Sequence, residues 1–354
     1  MNYDFQHSAQ HVLLHDIVVT HFNTNFIQVM SLCFSRNTAK ISSPINFSAI
    51  VDPTEAIHRF LTYEETNEFL HTLALLFSGK VSVEKIGETA LGRDINVISI
   101  NYNAKKKVIL VANLHAREWA AMSSALYIIS ELVYNGDQYP ELSQFRWMII
   151  PMANPDGYEY TRIYDRYWSK NRSPQPNSRT FGVDLNGNFG YKWDENKYRV
   201  DPSSRTYNGP SAFSERESSA IGQLLNQHAD NTILYADMHT FGNHIFYPWG
   251  YTTDKAPDSG KSRAVAIVGV DIIREKYHEY YTVGTSAHLF ERTYGSSLDY
   301  CHSVGINVCL WFELTNVGFQ IKESDIERFG QEAWAAITAM AVRANQIVDV
   351  FYPE

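Results

Sequence analysis

The chain has 354 residues, and 44% of them are hydrophobic, which is enough for one large domain with a sizeable core and a small appendage. The formal net charge is −9 and no basic run is present, a composition that argues against a nucleic-acid partner. No stretch reaches the roughly 20 apolar residues that a membrane-spanning helix needs, so we expect no membrane partner. Nothing in the sequence indicates oligomerisation, and we expect a monomer.

The chain contains three cysteines, Cys33, Cys301 and Cys309, and this odd number does not indicate a disulfide framework. Cys301 and Cys309 flank a turn at Gly305, so a bridge between them is compatible with the sequence but is not required by it. The cysteines therefore leave the cellular compartment open.

Residues 1–55 are predicted to form an N-terminal extension to a larger domain over residues 56–354. The first five residues include no basic side chain. The apolar run over 27–34 is short and precedes no clean small-residue cleavage site. The sequence therefore shows no clear signal peptide.

The first part of the larger domain alternates helical and extended patterns. The predicted order is a helix over 63–77, strands over 81–86 and 94–100, a buried strand over 108–111, a helix over 119–132 and a strand over 146–151. Asparagine, proline and glycine at Asn154-Pro-Asp-Gly157 predict a turn after the last of these strands.

The second part begins with residues 158–210, which show little periodicity, and so long a loop inside a compact domain is usually functional. A helix is predicted over 214–228, with Ser214 as its N-cap and Glu217 at the capping-box position. The remaining predicted elements are strands over 234–240 and 308–313 and helices over 263–277 and 324–351. Because strands alternate with helices, the predicted fold class is α/β, with a mixed, mainly parallel twisted sheet and helices on both faces.

Three of the predicted strands carry polar groups at or near their C-terminal ends. His115 ends one strand and His239 another, and Glu313 lies near the end of a third. Proteins with α/β sheets bind their ligands at the C-terminal ends of the strands. Burying an unpaired carboxylate costs free energy, so a glutamate such as Glu313 in a buried strand needs a partner. Glu118 follows His115 by three positions, a spacing that lets the two side chains converge. The pair predicts half of a catalytic zinc site, which needs one more protein ligand and an open position for water.

Several short segments between about residue 60 and the C-terminus carry a resemblance to a known family. They are, in order, Leu114-His-Ala-Arg-Glu-Trp119, Asn154-Pro-Asp-Gly-Tyr158, Gly182-Val-Asp-Leu-Asn186, Tyr207-Asn-Gly-Pro210, Met238-His239-Thr240, Tyr247-Pro-Trp-Gly-Tyr251 and Phe312-Glu313-Leu314. With these segments the chain resembles the zinc metallocarboxypeptidases of the carboxypeptidase A family. The order of the segments makes the resemblance far more specific than any one motif.

The resemblance implies a metal site and an orienting residue. It implies one Zn²⁺ per chain, with His115, Glu118 and His239 as ligands and a fourth position for water. It also implies that Asp184 orients a ligand histidine by accepting a hydrogen bond from the far ring nitrogen.

The resemblance also implies two catalytic residues. Glu313 matches the general base, which takes a proton from the attacking water and passes it to the leaving amine. Arg172, in Trp168-Ser-Lys-Asn-Arg172, matches the arginine that stabilises the oxyanion of the tetrahedral intermediate. Arg179 in the same loop is an alternative carrier of that charge.

The binding site for the substrate carboxylate departs from the family pattern. Asn186 is retained, but Gly187 stands where the family has an arginine. Losing that bidentate contact is expected to weaken carboxylate recognition by at least about tenfold. Arg117, Arg172 or another arginine could compensate.

Two further positions bear on substrate binding. Ungapped alignment from Asp299 puts Glu291 at the place of the family's capping tyrosine, whereas a shortened loop would put Tyr294 there, and we favour Tyr294. Leu298 matches the base of the specificity pocket, where an acidic residue would select Lys or Arg. Leucine predicts a preference for an apolar or aromatic C-terminal residue.

We therefore predict a secreted metallocarboxypeptidase, a zinc hydrolase that removes C-terminal residues from peptides or proteins. One alternative is a degenerate family member that binds zinc and peptide without efficient hydrolysis. Another is a related zinc hydrolase with a different substrate. Residues 1–55 are either a truncated prosegment or an irregular N-terminus.

Overall fold

The computed structural model describes residues 55–175, 179–195 and 201–351. The predicted N-terminal extension, apart from Glu55, and Cys33 lie outside the described residues. In the described ranges, no helix has both the length and the apolar character needed to cross a membrane.

The elements of the described chain follow the predicted alternation closely. The α-helices are α1 (Tyr63–Leu76), α2 (Trp119–Ser130), α3 (Pro155–Ile163), α4 (Arg216–His228), α5 (Ser259–Tyr277), α6 (Ser286–Leu289), α7 (Ser297–Ser303) and α8 (Ile326–Phe351). The strands are β1 (Val81–Glu88), β2 (Asp94–Ile100), β3 (Lys106–Ala112), β4 (Phe145–Ile150), β5 (Thr232–Thr240), β6 (His244–Phe246), β7 (Thr282–Gly284) and β8 (Cys309–Leu314).

The strands form one eight-stranded sheet in the order β1-β2-β4-β3-β5-β8-β6-β7. The four central strands, β4, β3, β5 and β8, run parallel to one another. The antiparallel pairs are β1 with β2, β2 with β4, and β8 with β6. The predicted α/β class with a mixed, mainly parallel sheet is confirmed.

Side chains of the central strands alternate between the two faces of the sheet. On one face, Val108 and Leu110 belong to a large apolar cluster that also contains residues of α1, α2, α5 and α8. On the other face, Ile109 and Val111 belong to a second cluster that contains residues of α4 and α7. Helices therefore cover both faces, as predicted.

Two local predictions were wrong. Asn154 to Gly157 are the start of α3 rather than a free turn, because the Asn154 side chain accepts a hydrogen bond from the Gly157 N–H at 3.0 Å and Pro155 opens the helix. Ser214 is not the N-cap of α4, which begins at Arg216 after Glu215. The Ser214 hydroxyl instead donates to Glu215 Oε1 at 2.8 Å.

A disulfide joins Cys301 in α7 to Cys309 at the start of β8. The sequence left this bridge open, and the structure forms it. It ties α7 to the strand that carries Glu313.

Candidate metal centre and active site

The three strands that were predicted to carry polar groups are neighbours in the sheet. β5 lies between β3 and β8, and the three run parallel, so their C-terminal ends share one edge. His239 on β5 is paired in register with Glu313 on β8. His115 and Glu118 lie in the segment that joins β3 to α2, where Asn113 adopts a left-handed conformation with φ of 64°. The sheet thus brings the four side chains to one place.

His115, Glu118 and His239 form a group that can hold a metal ion. One ligand atom from each lies within 4.8 Å of the other two. The Nδ1 atom of His115 is 2.8 Å from Glu118 Oε1, and the Nδ1 atom of His239 is 2.9 Å from Glu118 Oε2. Two imidazole nitrogens and one carboxylate are the donor set of a catalytic zinc site.

The far nitrogen of each imidazole faces a second carboxylate. The Nε2 atom of His115 is 3.0 Å from Asp184 Oδ1, and the resemblance to the family implied an orienting role for Asp184. The Nε2 atom of His239 is 3.0 Å from Asp237 Oδ2, and Asp237 is fully buried. These contacts fix each ring so that its Nδ1 atom faces the centre of the group.

The charges of the group fit a cation at its centre. Burial lowers the pKa of His115, but Glu118 and Asp184 raise it more strongly, to about 9. The pKa of His239 is also raised, because Asp237 and Glu118 outweigh its burial. Burial raises the pKa of Glu118, but the two imidazoles lower it to about 2. The three carboxylates therefore favour positive charge here, and a bound metal ion would take the place of protons.

Glu313 lies at the same edge of the sheet, and only one of its two carboxylate oxygens has a hydrogen-bond partner among the described residues. Its Oε1 atom accepts a hydrogen bond from the indole Nε1 of Trp311 at 2.9 Å. Its Oε2 atom is shielded from solvent and has no hydrogen-bond partner among the described residues. Burial raises the pKa of Glu313 to about 8, Glu118 adds to the rise, and His239, His115 and Trp311 oppose it. A carboxylate of this kind can take up a proton near neutral pH.

Comparison with known protein families identifies the family of the chain. The family model described as zinc carboxypeptidase matches residues 66–336. The chain belongs to the zinc carboxypeptidase family. It is 32% identical over 301 residues to carboxypeptidase B of Helicoverpa zea, a match that covers 80% of this chain and 70% of that protein. It is 31% identical over 287 residues to carboxypeptidase B of Astacus astacus, covering 79% and 95% of the two chains.

The fold agrees with solved zinc carboxypeptidases. The structure of carboxypeptidase A from Helicoverpa armigera superposes with a TM-score of 0.78 at 29% identity, covering 93% of this chain and 81% of that one. Bovine thrombin-activatable fibrinolysis inhibitor, solved with a tick carboxypeptidase inhibitor, gives a TM-score of 0.78 at 25% identity, with 82% and 99% covered. As a member of this family, the protein is a peptide hydrolase.

Arg117 of this zinc carboxypeptidase interacts electrostatically with the metal group. Its half-buried guanidinium stacks at 3.9 Å on the ring of Phe319. Burial lowers its pKa, and its charge interacts with the carboxylates of Glu118, Asp184 and Glu313. Its Nε atom is buried and has no hydrogen-bond partner among the described residues. Arg117 is thus placed to act on a negative charge at the site.

The structure does not bring Arg172 into this group. Its guanidinium carbon lies 3.7 Å from the centre of the Tyr160 ring, 4.5 Å from Trp168 and 4.8 Å from Phe181. Burial lowers its pKa, and the charges that oppose this are those of Tyr160 and Asp156. Arg172 therefore fills an aromatic cage beside α3. The alternative, Arg179, is exposed in the same loop.

Asn186 lies beside the metal group, and Gly187 is the next residue. The Asn186 amide nitrogen is 3.3 Å from His239 Nε2, and its oxygen accepts the Ser297 N–H at 2.9 Å. A Cβ at Gly187 would lie 3.4 Å from Asn208 Cβ and 3.9 Å from the Tyr294 carbonyl oxygen. The loop with Tyr294 therefore packs directly on Gly187. Tyr294 is half-buried there, while Glu291 is exposed.

Leu298 is placed in the core. Its side chain is fully buried, in the same apolar cluster as Phe246 and Trp311. The next residue, Asp299, accepts hydrogen bonds from Gly250 N at 2.8 Å and Tyr251 N at 3.0 Å. Asp299 thereby anchors the Tyr247–Tyr251 segment against α7.

The sequence analysis missed two residues of the site, Asp237 and Trp311. Each lies two positions before a predicted site residue on the same strand, His239 and Glu313 respectively. Alternate residues of a strand point to the same face, so the two-residue period was the signal that could have found them. Ser297, whose hydroxyl bonds Asp237 Oδ2, carried no such signal.

Proposed function

We propose that this protein is a zinc-dependent carboxypeptidase that removes apolar or aromatic C-terminal residues from peptides. The observation that carries the proposal is the position of Glu118. Its two oxygens lie 2.8 Å and 2.9 Å from the Nδ1 atoms of two histidines, and Glu313 is paired in register with one of them. Ligands and base thus share one edge of the sheet.

The proposed ligands of one Zn²⁺ are His115, Glu118 and His239. A zinc ion held there supplies a Lewis acid that polarises the scissile carbonyl and acidifies water. Asp184 and Asp237 hold the far nitrogens of the two imidazoles and thereby keep both rings in the orientation that binding needs.

Glu313 is the proposed general base. The Oε2 atom takes a proton from the attacking water and later gives it to the leaving amine, while Oε1 stays bonded to Trp311. The same group must accept a proton in the first step and release it in the second, and the Oε2 atom, which has no partner among the described residues, is the one available for both.

Arg117 is the proposed stabiliser of the oxyanion. Arg172 was expected in that role, but its contacts with three aromatic rings support a structural one. The half-buried guanidinium of Arg117 interacts with Glu118 and Glu313, so a charge that develops between them meets a fixed cation.

The proposed substrate site lacks the family's carboxylate-binding arginine and has a leucine at the position that sets side-chain specificity. Gly187 supplies no cation, so Arg117 is the proposed partner of the substrate carboxylate as well, with Asn186 and Tyr294 beside it. The proposed preference for an apolar or aromatic residue rests on the identity of Leu298, at the position where an acidic residue would select Lys or Arg; its side chain is fully buried.

The proposed location is extracellular. The Cys301–Cys309 disulfide supports this, because such bonds persist in oxidising compartments.

A second candidate is a zinc- and peptide-binding protein with little hydrolysis. Gly187 and the caged Arg172 favour it, since both remove a cation that the family uses. The intact base Glu313 favours the enzyme.

The test compares an N-blocked dipeptide ending in Phe with the same compound amidated at its C-terminus. We expect cleavage of the free acid alone, abolished by a zinc chelator. Cleavage of both compounds would show that Gly187 has removed strict exopeptidase action. Cleavage of neither, with zinc still bound, would favour the second candidate.

A further inference from the structure

Trp311 and Glu313 lie two positions apart on β8, so their side chains point to the same face of the sheet. The Trp311 indole Nε1 donates to Glu313 Oε1 at 2.9 Å. An indole N–H is a donor only and cannot take up a proton. The contact therefore fixes one carboxylate oxygen and leaves Oε2 as the one that can exchange a proton.

The indole is itself held firmly. Trp311 is 8% exposed, and its ring centre lies 5.2 Å from that of His239 and 5.4 Å from that of Phe246. Ring packing of this kind restricts side-chain rotation. Trp311 thus connects the carboxylate of Glu313 with the imidazole of His239 through one rigid side chain.

We propose that Trp311 is a positioning residue that orients Glu313 for proton transfer at Oε2. The inference rests on the proposed function, because it requires Glu313 to act as the base. A carboxylate on a flexible side chain reaches the productive geometry only part of the time, and a fixed donor on one oxygen raises that fraction.

Kinetics on the full chain test this role. Trp311→Phe keeps an aromatic ring and removes the N–H donor. We expect kcat for the free-acid peptide to fall about tenfold, with KM changed less than about twofold, because the missing hydrogen bond orients the base and does not hold the substrate. In a Glu313→Gln background, Trp311→Phe is expected to cause no further loss.

Trp147→Phe is the matched control. Trp147 is also fully buried, and its indole donates to a backbone carbonyl, that of Leu142, at 3.1 Å in the other apolar cluster. Its loss is expected to lower stability and leave kcat unchanged. A Trp311→Phe enzyme with the kcat of wild type, or one whose loss is fully additive with Glu313→Gln, would overturn the inference. A wild-type chain with no peptidase activity would instead overturn the proposed function, and the positioning role would fall with it.

A spectroscopic readout tests the contact without any turnover. The chain has seven tryptophans, so indole-¹⁵N labelling gives few signals. The Trp311 signal is assigned by its absence from Trp311→Phe or, should that variant not fold, from Trp311→Tyr. Replacing Glu313 by Ala is expected to move the signal of the Trp311 indole N–H proton upfield. The signal of the Trp147 indole is expected to stay in place. An unmoved Trp311 signal would overturn the inference.

Discussion

Asp237 Oδ2 lies 3.0 Å from His239 Nε2, on the same strand and two residues away. The carboxylate is fully buried, and the Ser297 hydroxyl holds the same oxygen. Asp184 makes the equivalent contact with His115 at 3.0 Å. In both histidines of the proposed metal site, the ring nitrogen that faces away from the metal position therefore contacts a carboxylate. These two carboxylates belong to the metal site together with its three proposed ligands.

Replacing Asp237 by Ala is expected to weaken zinc binding by about tenfold to a hundredfold, because His239 loses the partner that fixes its tautomer and orientation. A competitive chelator titration measures the change. Asp156→Asn is the control, since Asp156 is also buried but pairs with Arg93. Equal zinc affinity in Asp237→Ala and wild type would contradict the orienting role.

Substitutions of Arg117 and Arg172 are expected to have different effects on activity. Arg117→Gln is expected to lower kcat about a hundredfold, because a fixed donor to the oxyanion is lost, and to raise KM, because the proposed partner of the substrate carboxylate is lost. Arg172→Gln is expected to keep kcat within about threefold and to lower the melting temperature, because the cage of Tyr160, Trp168 and Phe181 loses its cation. Peptide kinetics and thermal unfolding of both variants measure this. The reverse pattern would return the oxyanion role to Arg172.

Gly187→Arg is expected to lower KM for the free-acid peptide by about tenfold or more, because it adds a charge-assisted contact to the carboxylate. The position tolerates a Cβ, whose nearest neighbour would be Asn208 Cβ at 3.4 Å. Gly187→Ala is the matched control and is expected to leave KM unchanged. The measurement is the KM for the free-acid peptide in both variants and in wild type. An unchanged KM in Gly187→Arg would mean that another group already holds the substrate carboxylate.

Glu217 is expected to make stability fall as pH rises. Burial raises its pKa from 4.5 to about 8, and although Asn171 bonds its Oε2 atom, Oε1 has no described partner. Between these pH values the folded state holds a proton that the unfolded state has released, so unfolding becomes easier as pH increases.

The test is urea unfolding of wild type and Glu217→Gln at pH 5 and pH 8. As pH rises, the free energy of unfolding of the variant is expected to increase relative to that of wild type, by at most about 1.4 kcal/mol per pH unit. A difference that does not change with pH would refute the raised pKa.

Periodicity was sufficient to predict much of the fold. The β2 strand has the predicted bounds, and the runs before His115, His239 and Glu313 are central strands because each is buried on both faces. Element ends were harder to predict. At Asn154 a side-chain cap followed by Pro155 starts a helix, which a stricter use of capping rules would have recognised.

The candidate site was predictable where it depended on strand ends. The surroundings of Arg172 were not, because Tyr160 and Phe181 approach it through the fold rather than through sequence spacing. The same holds for Ser297, which reaches Asp237 from α7 across 60 positions of sequence.

The most direct test of the account is the kcat of a zinc-loaded Glu313→Gln variant. We expect one zinc per chain, as in wild type, a KM close to that of wild type and a kcat lower by about a thousandfold or more, because the variant keeps the metal ligands and loses the base. A variant that keeps wild-type kcat with its zinc in place would contradict the assignment of Glu313 and the mechanism built on it.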